Sequence, residues 1–269
     1  MKPRVIAVLL VGFLAPEIGN TEVSSDLPKP GEARMIHFEG ALPKLKAKSA
    51  ELQYEFDLAK ETFEIFVPKN YSGGEPFGLF VFIDSQNEMT LPKEWRSILE
   101  QRKLICAIPQ RVGNDQPTAR RMGLTVIGIL KASEQYRIDP KRIVVSGFSG
   151  GARCALHLAF VHAGLISGSL SICGADFYEP VPKIKAANTQ GYGVWPVGRD
   201  MAVRAKSAVR FAFITGDKDP RRGNILDIYE GGFVKHNFQA HLIDVSGMGH
   251  ELCRPETLGK GLDYLNGKD

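Results

Sequence analysis

From about residue 51 onward, short apolar runs alternate with polar turns, and the spacing of the apolar positions separates strands from helices. Residues 52–58 and 62–68 are β-rich runs. Residues 78–84 read GLFVFID, apolar at nearly every position, and residues 104–108 read LICAI. A run without polar alternation marks a strand buried on both faces, as inside a parallel sheet covered by helices. Residues 142–146, 167–173, 209–215 and 239–245 continue the series of predicted strands. Between and after them, apolar positions near helical spacing predict helices over 117–136, where Met122, Val126, Ile129 and Leu130 recur, and over 151–163, 224–236 and 255–265. Strands alternating with helices predict an α/β domain with a mostly parallel sheet. In such sheets ligands bind beyond the carboxyl ends of the strands, so the residues that follow each strand matter most.

The first part of the chain breaks this pattern. Met1-Lys2-Pro3-Arg4 precedes a short apolar run from Val5 to Ala15, the order of an export signal. The run is too short for a spanning helix, which needs about 20 residues. Residues 1–20 are therefore expected to be a signal peptide, with a buried N-terminal strand as the competing reading. The protein is expected to be secreted or periplasmic, with an uncleaved N-terminal tether as a variant of that reading and no stable membrane span in the mature form. Residues 21–46 mix Gly, Pro, Ser, Glu and Lys and predict an irregular segment with little core. Residues 47–269 show no repeat and no second linker, which predicts a single α/β domain.

Composition narrows the partners. The 269 residues are 43% hydrophobic and 24% charged, which excludes a disordered chain and leaves enough apolar surface for a core that needs no metal or disulfide. Lys plus Arg number 34 against 30 Asp plus Glu. The resulting +4 is spread along the chain without a basic block, so no nucleic-acid partner is expected. The four cysteines form no C-x-x-C and no Cys/His metal spacing, so neither a metal nor another cofactor is expected. Cys106 and Cys173 fall in predicted strands and suit small buried apolar positions. A bridge from Cys253 would brace the loop around His250.

One segment carries chemistry. Ser149 lies in Gly147-Phe148-Ser149-Gly150-Gly151, directly after a predicted strand and directly before a predicted helix. G-x-S-x-G between strand and helix is a nucleophile elbow, a turn so tight that bulk two residues before and two after the serine is excluded. An ordinary glycine turn is the plainer reading of the motif alone. The turn lifts the serine hydroxyl above the sheet edge and aims the first N–H groups of the helix at one point. Such a serine needs a base, and the base needs an orienting carboxylate. The elbow predicts the chain order serine, acid, histidine, with the last two in loops after later strands. Asp219, in Gly216-Asp217-Lys218-Asp219, is the preferred acid and Asp217 the alternative; a turn-capping carboxylate is the plainer role for either. His250, in Ser246-Gly247-Met248-Gly249-His250, is the one histidine of six in a loop after a late strand.

With Ser149, Asp219 and His250 in that order, the chain resembles α/β-hydrolases, and among them the secreted esterases grouped with polyhydroxybutyrate depolymerases and feruloyl esterases. The matching stretches are YRIDPKRIVVSGFSGGARCALHLA (136–159), FAFITGDKDPRRGN (211–224) and GMGHELCRPETLGKGLDYL (247–265). The resemblance implies an α/β-hydrolase fold and a serine esterase that cleaves small or polymer-attached esters through an acyl-enzyme. It implies an oxyanion hole made by the backbone N–H of Gly150 and a second donor after the third strand, assigned to Ser85. Many relatives carry His-Gly or a Gly-rich turn there, whereas this chain has Asp84-Ser85-Gln86-Asn87. An inward Asp84 carboxylate would repel an oxyanion, so it is expected to face away or to pair with Arg111, Arg120 or Arg121. Residues 174–204 hold the place of a cap or pocket wall, where aromatics such as Tyr178, Tyr192 and Trp195 could hold an acyl or aryl group; a surface loop packed down by its own aromatics is the competing reading. Two other readings stay open: a peptidase of the prolyl-oligopeptidase type, which normally carries a large extra domain, and a catalytically degenerate relative that binds a cell-wall or polysaccharide component.

Overall fold

A computed structural model describes residues 27–40, 56–181 and 193–268. The expected signal segment, residues 1–20, lies outside the described residues. Among those described, no helix is long and apolar enough to cross a membrane.

Among the described residues, eight strands form one sheet: β1 Ala33–Ile36, β2 Phe63–Phe66, β3 Phe77–Ile83, β4 Leu104–Pro109, β5 Ile138–Phe148, β6 Gly168–Ile172, β7 Arg210–Gly216 and β8 Ala240–Val245. Their spatial order is β1-β2-β4-β3-β5-β6-β7-β8. The pairs β1–β2 and β2–β4 are antiparallel and all others parallel. The helices are α1 Arg96–Gln101, α2 Thr118–Gln135, α3 Gly150–Val161, α4 Arg199–Ala208, α5 Arg222–Ile228 and α6 Pro255–Leu265.

The all-apolar β3 run is explained by the two layers it separates. Phe77, Leu79, Val81 and Ile83 point into one core, which also takes Met122, Val126 and Ile129 of α2 and Leu156 and Phe160 of α3. Phe80 and Phe82 point into the other, with Trp95, Leu99 of α1 and Leu258 and Leu262 of α6. Alternate side chains of one strand thus serve opposite faces, so no position is left for a polar residue. The first core is rich in aromatic rings: Phe160, Phe177, Phe211, Phe233 and Phe238 meet with centroids 4.9–6.3 Å apart.

Three elements differ from expectation. Residues 33–36, inside the segment expected to be irregular, form β1 and pair with β2, and Ile36 and Phe38 are buried. The described end of the expected strand 52–58 is a turn, where the Asp57 carboxylate accepts the Ala59 N–H (3.2 Å) and holds Lys60 at 3.0 Å. The expected helix over 224–236 is α5 followed by a π-helical turn, Tyr229–Val234. There the Phe177 ring lies 2.8 Å from where a side chain on Gly232 would begin.

A buried ion cluster ties the antiparallel edge to α2. Glu61 accepts two hydrogen bonds from Arg120 (2.8 and 2.5 Å) and one from Arg111 (3.1 Å), while its carbonyl lies 3.0 Å from His37 Nδ1. Arg111 also donates to the Lys60 carbonyl. Removing one partner of a buried cluster leaves the other charge uncompensated. Glu61→Ala is therefore expected to lower unfolding stability by about 3–5 kcal/mol, read as a lower denaturant midpoint at unchanged slope. A midpoint equal to that of the parent chain would show that the cluster contributes nothing.

Candidate active site

Ser149 sits between the end of β5 and the start of α3 with φ +53° and ψ −116°, a conformation costly for a residue with a Cβ. The surroundings hold it there: its N–H donates to the Ile172 carbonyl of β6 (2.8 Å). The elbow also presses against β3, since a Cβ on Gly151 would lie 2.0 Å from the Ile83 carbonyl oxygen. Glycine at that position is a requirement of the close approach.

Asp219 follows β7. Its N–H bonds back to the Gly216 carbonyl (3.0 Å), and its carboxylate accepts the Thr215 hydroxyl (3.0 Å) and the Arg221 N–H (2.9 Å). The carboxylate is buried, and it also contacts His250 Nδ1 at 2.9 Å. His250 Nε2 in turn lies 3.0 Å from Ser149 Oγ. A carboxylate only accepts, so Nδ1–H donates to Asp219 and Nε2 is left to accept the serine hydroxyl. Serine, imidazole and carboxylate thus form one continuous hydrogen-bonded chain.

The loops that bring these residues together are stitched to each other. The Lys218 N–H donates to the Met248 carbonyl (3.1 Å), and a Cβ on Gly216 would lie 2.3 Å from that same oxygen. Asp217, the alternative acid, accepts the Gly247 N–H (2.7 Å) and the Ser246 hydroxyl (3.2 Å). Those bonds, the Gly247 N–H first, hold its carboxyl below the usual range. It caps the histidine loop and does not reach the imidazole. The same loop is anchored from far away in sequence by Trp95, whose indole N–H donates to the Cys253 carbonyl (3.0 Å). All four cysteines carry free, buried thiols, so an indole takes the bracing role that a Cys253 bridge would have had. Burial pushes the Cys253 thiol up to about 12.

Of the two arrangements expected for Asp84, facing away or pairing with an arginine, the arginine pairing is not made. Its carboxylate accepts the Gln86 N–H (2.7 Å) and the Ser85 hydroxyl (3.3 Å), forming a local turn. None of the three arginines pairs with that carboxylate: Arg111 and Arg120 hold Glu61, and Arg121 donates to the Asp84 carbonyl (3.2 Å). A short acceptor side chain satisfied by its own turn has no need of a guanidinium. Ser85 therefore turns its hydroxyl to Asp84, and its carbonyl accepts the Asn114 N–H (2.9 Å).

Two neighbours of the site escaped sequence reading. Asn114, in the loop after β4, lies so near the elbow that a Cβ on Gly150 would sit 2.0 Å from its Oδ1. A cavity of about 610 Å³ opens there, lined by Asn114, Thr118, Arg121, Gly150, Arg153 and Trp195. Arg153 is held by Asp176 (2.6 Å), and Trp195 stacks on His157 at 4.3 Å. The aromatic wall expected from residues 174–204 thus includes Trp195; residues 182–192 of that interval lie outside the described residues. The second neighbour is Cys173, directly after β6, with φ +56° and its thiol donating toward the Gly249 and Glu251 carbonyls (3.7 and 3.5 Å). Burial, then the nearby Asp219 carboxylate, push this thiol well up. Position after a strand was the available signal for both residues.

No protein-family model matches the chain, and no curated protein matches its sequence. Solved structures do match. The S-formylglutathione hydrolase FrmB of Staphylococcus aureus superposes with a TM-score of 0.60 at 9% identity, covering 87% of this chain and 97% of that one. A ferulic acid esterase superposes at 0.59 and 14% identity, over 90% and 100%. Porphyromonas gingivalis dipeptidyl peptidase 4 superposes at 0.54 and 17% identity, over 77% of this chain and 33% of the peptidase. The strand order and these superpositions give the chain the α/β-hydrolase fold.

Proposed function

We propose that this protein is a serine hydrolase that cleaves carboxylic esters. The observation that carries the reading is the Ser149–His250–Asp219 chain, with contacts of 3.0 and 2.9 Å on a half-buried elbow. In this reading His250 Nε2 takes the Ser149 proton as Oγ attacks the ester carbonyl, and Asp219 holds the tautomer and balances the imidazolium. The backbone N–H of Gly150, first in α3, stabilises the oxyanion. The second donor is assigned to the backbone N–H of Ser85, because the end of β3 is pressed against the elbow at Gly151. His250 then returns the proton to the leaving alcohol and activates the water that releases the acyl group. The chemistry needs no cofactor. The charged and apolar order of residues 1–20 supports export.

Esters are favoured over peptides because the superpositions with the hydrolase and the esterase have the higher TM-scores and run over nearly the whole of those chains. Short-chain aryl esters and hydroxycinnamoyl esters are expected to turn over, while dipeptidyl anilides are cut at least about a hundredfold more slowly. Steady-state kinetics on both panels decides this: efficient anilide cleavage without ester turnover would hand the site to the peptidase reading.

A further inference from the structure

Three adjacent parallel strands, β6, β7 and β8, each deliver one polar group to a single point. Cys173 Sγ, one Asp219 carboxylate oxygen and one His250 ring nitrogen all lie within 4.8 Å of one another. We propose that this trio binds a thiophilic divalent cation of the zinc and cadmium kind, and that the cation competes with catalysis for His250. The effect on catalysis rests on the hydrolase reading; the binding itself does not.

The donor set suits such an ion. One sulfur, one nitrogen and one oxygen form a mixed, borderline-soft set. A tetrahedral ion with bonds of about 2.3 Å to sulfur and 2.0–2.2 Å to nitrogen and oxygen spaces its donors about 3.3–3.7 Å apart. Donors already gathered within 4.8 Å need small movements to reach that spacing. The carboxylate has outer support from the Thr215 hydroxyl and the Arg221 N–H, the kind of partner that fixes a ligand's orientation. Entry is possible along His250, whose side chain is 31% exposed while that of Asp219 is fully covered. A water on that side completes the coordination. Ligands so far apart in sequence leave no spacing motif, and only the order of the strands brings them together.

The consequence follows from proton placement. On binding, the Cys173 thiol gives its proton to solvent and the cation takes the Nδ1 lone pair of His250. The one remaining ring proton then sits on Nε2, the atom that must accept the Ser149 proton. No electron transfer is involved, and chelation reverses the change.

The test is a cadmium titration of the full chain, following thiolate-to-cadmium ultraviolet absorption and aryl-ester hydrolysis in parallel. The expected result is saturation at one ion per chain, with hydrolysis falling at least about tenfold over the same range and returning on addition of a chelator. Cys173→Ala removes the absorption and the cadmium sensitivity, each variant being compared with its own metal-free rate. Cys253→Ala and Ser149→Ala keep the absorption. Cys173→Ser, checked by circular dichroism, replaces the alanine variant if that chain fails to fold. No absorption in the parent chain, or equal absorption without Cys173, overturns the site. Hydrolysis untouched at saturating cadmium overturns the competition. A normal cadmium signal on a chain that hydrolyses nothing would leave the site standing and remove the hydrolase reading.

Discussion

Ser149→Ala is expected to abolish covalent labelling by a fluorophosphonate and to lower kcat for aryl esters about a millionfold. Oγ is the only atom the substitution removes, and it is the atom that His250 Nε2 contacts at 3.0 Å. The oxyanion donors and the cavity beside Gly150 stay in place, so a residual rate of about 10³–10⁴ over water is expected from them. The fold should survive, since Ala at this position keeps the backbone bond to Ile172. Intact-mass measurement after probe treatment reads the outcome directly. A labelled alanine variant, or one with a tenth of the parent activity, would mean that the elbow serine is not the nucleophile.

Asp219→Asn is expected to lower kcat about 10⁴-fold, whereas Asp217→Asn stays within about tenfold of the parent. The contrast comes from what each carboxylate touches. Asp219 accepts a hydrogen bond from Nδ1–H at 2.9 Å, and an amide nitrogen in its place favours the tautomer with the proton on Nε2. The serine then faces a donor. Asp217 is exposed and bonds only the Ser246–Gly247 turn, so its loss loosens the loop without inverting the imidazole. Comparable losses from the two variants would mean that either acid can orient His250.

Ser149, Asp219 and His250 could be placed in order because each follows a strand, although only β5 and β7 carry a buried apolar run and β8, which reads AHLIDV, has no buried position. GLFVFID and LICAI announce buried strands, and the elbow is a local steric pattern that five residues spell out. What stayed hidden depends on contacts between distant segments. β1 is short, flanked by Gly and Pro, and becomes a strand only by pairing with β2. The expected strand over 52–58 ends in an Asx turn that competes with any ladder. Asn114 and Cys173 look ordinary in sequence, and their importance comes from which loops the strand order sets beside them. The arginine pairing that was one of the two alternatives for Asp84 is absent for a related reason: Glu61, remote in sequence, collects two of the three guanidiniums.

The indole bond from Trp95 to the Cys253 carbonyl closes a loop of 158 residues, and it has a kinetic meaning. Helices form locally in about a microsecond, but contacts this far apart must first overcome the entropy of closing the intervening chain. The histidine loop is thus seated by one of the longest closures in the molecule. On refolding, hydrolytic turnover is expected to return with that closure and after the helical signal, so that stopped-flow activity and circular dichroism together would time the final docking of the C-terminal segment onto the sheet.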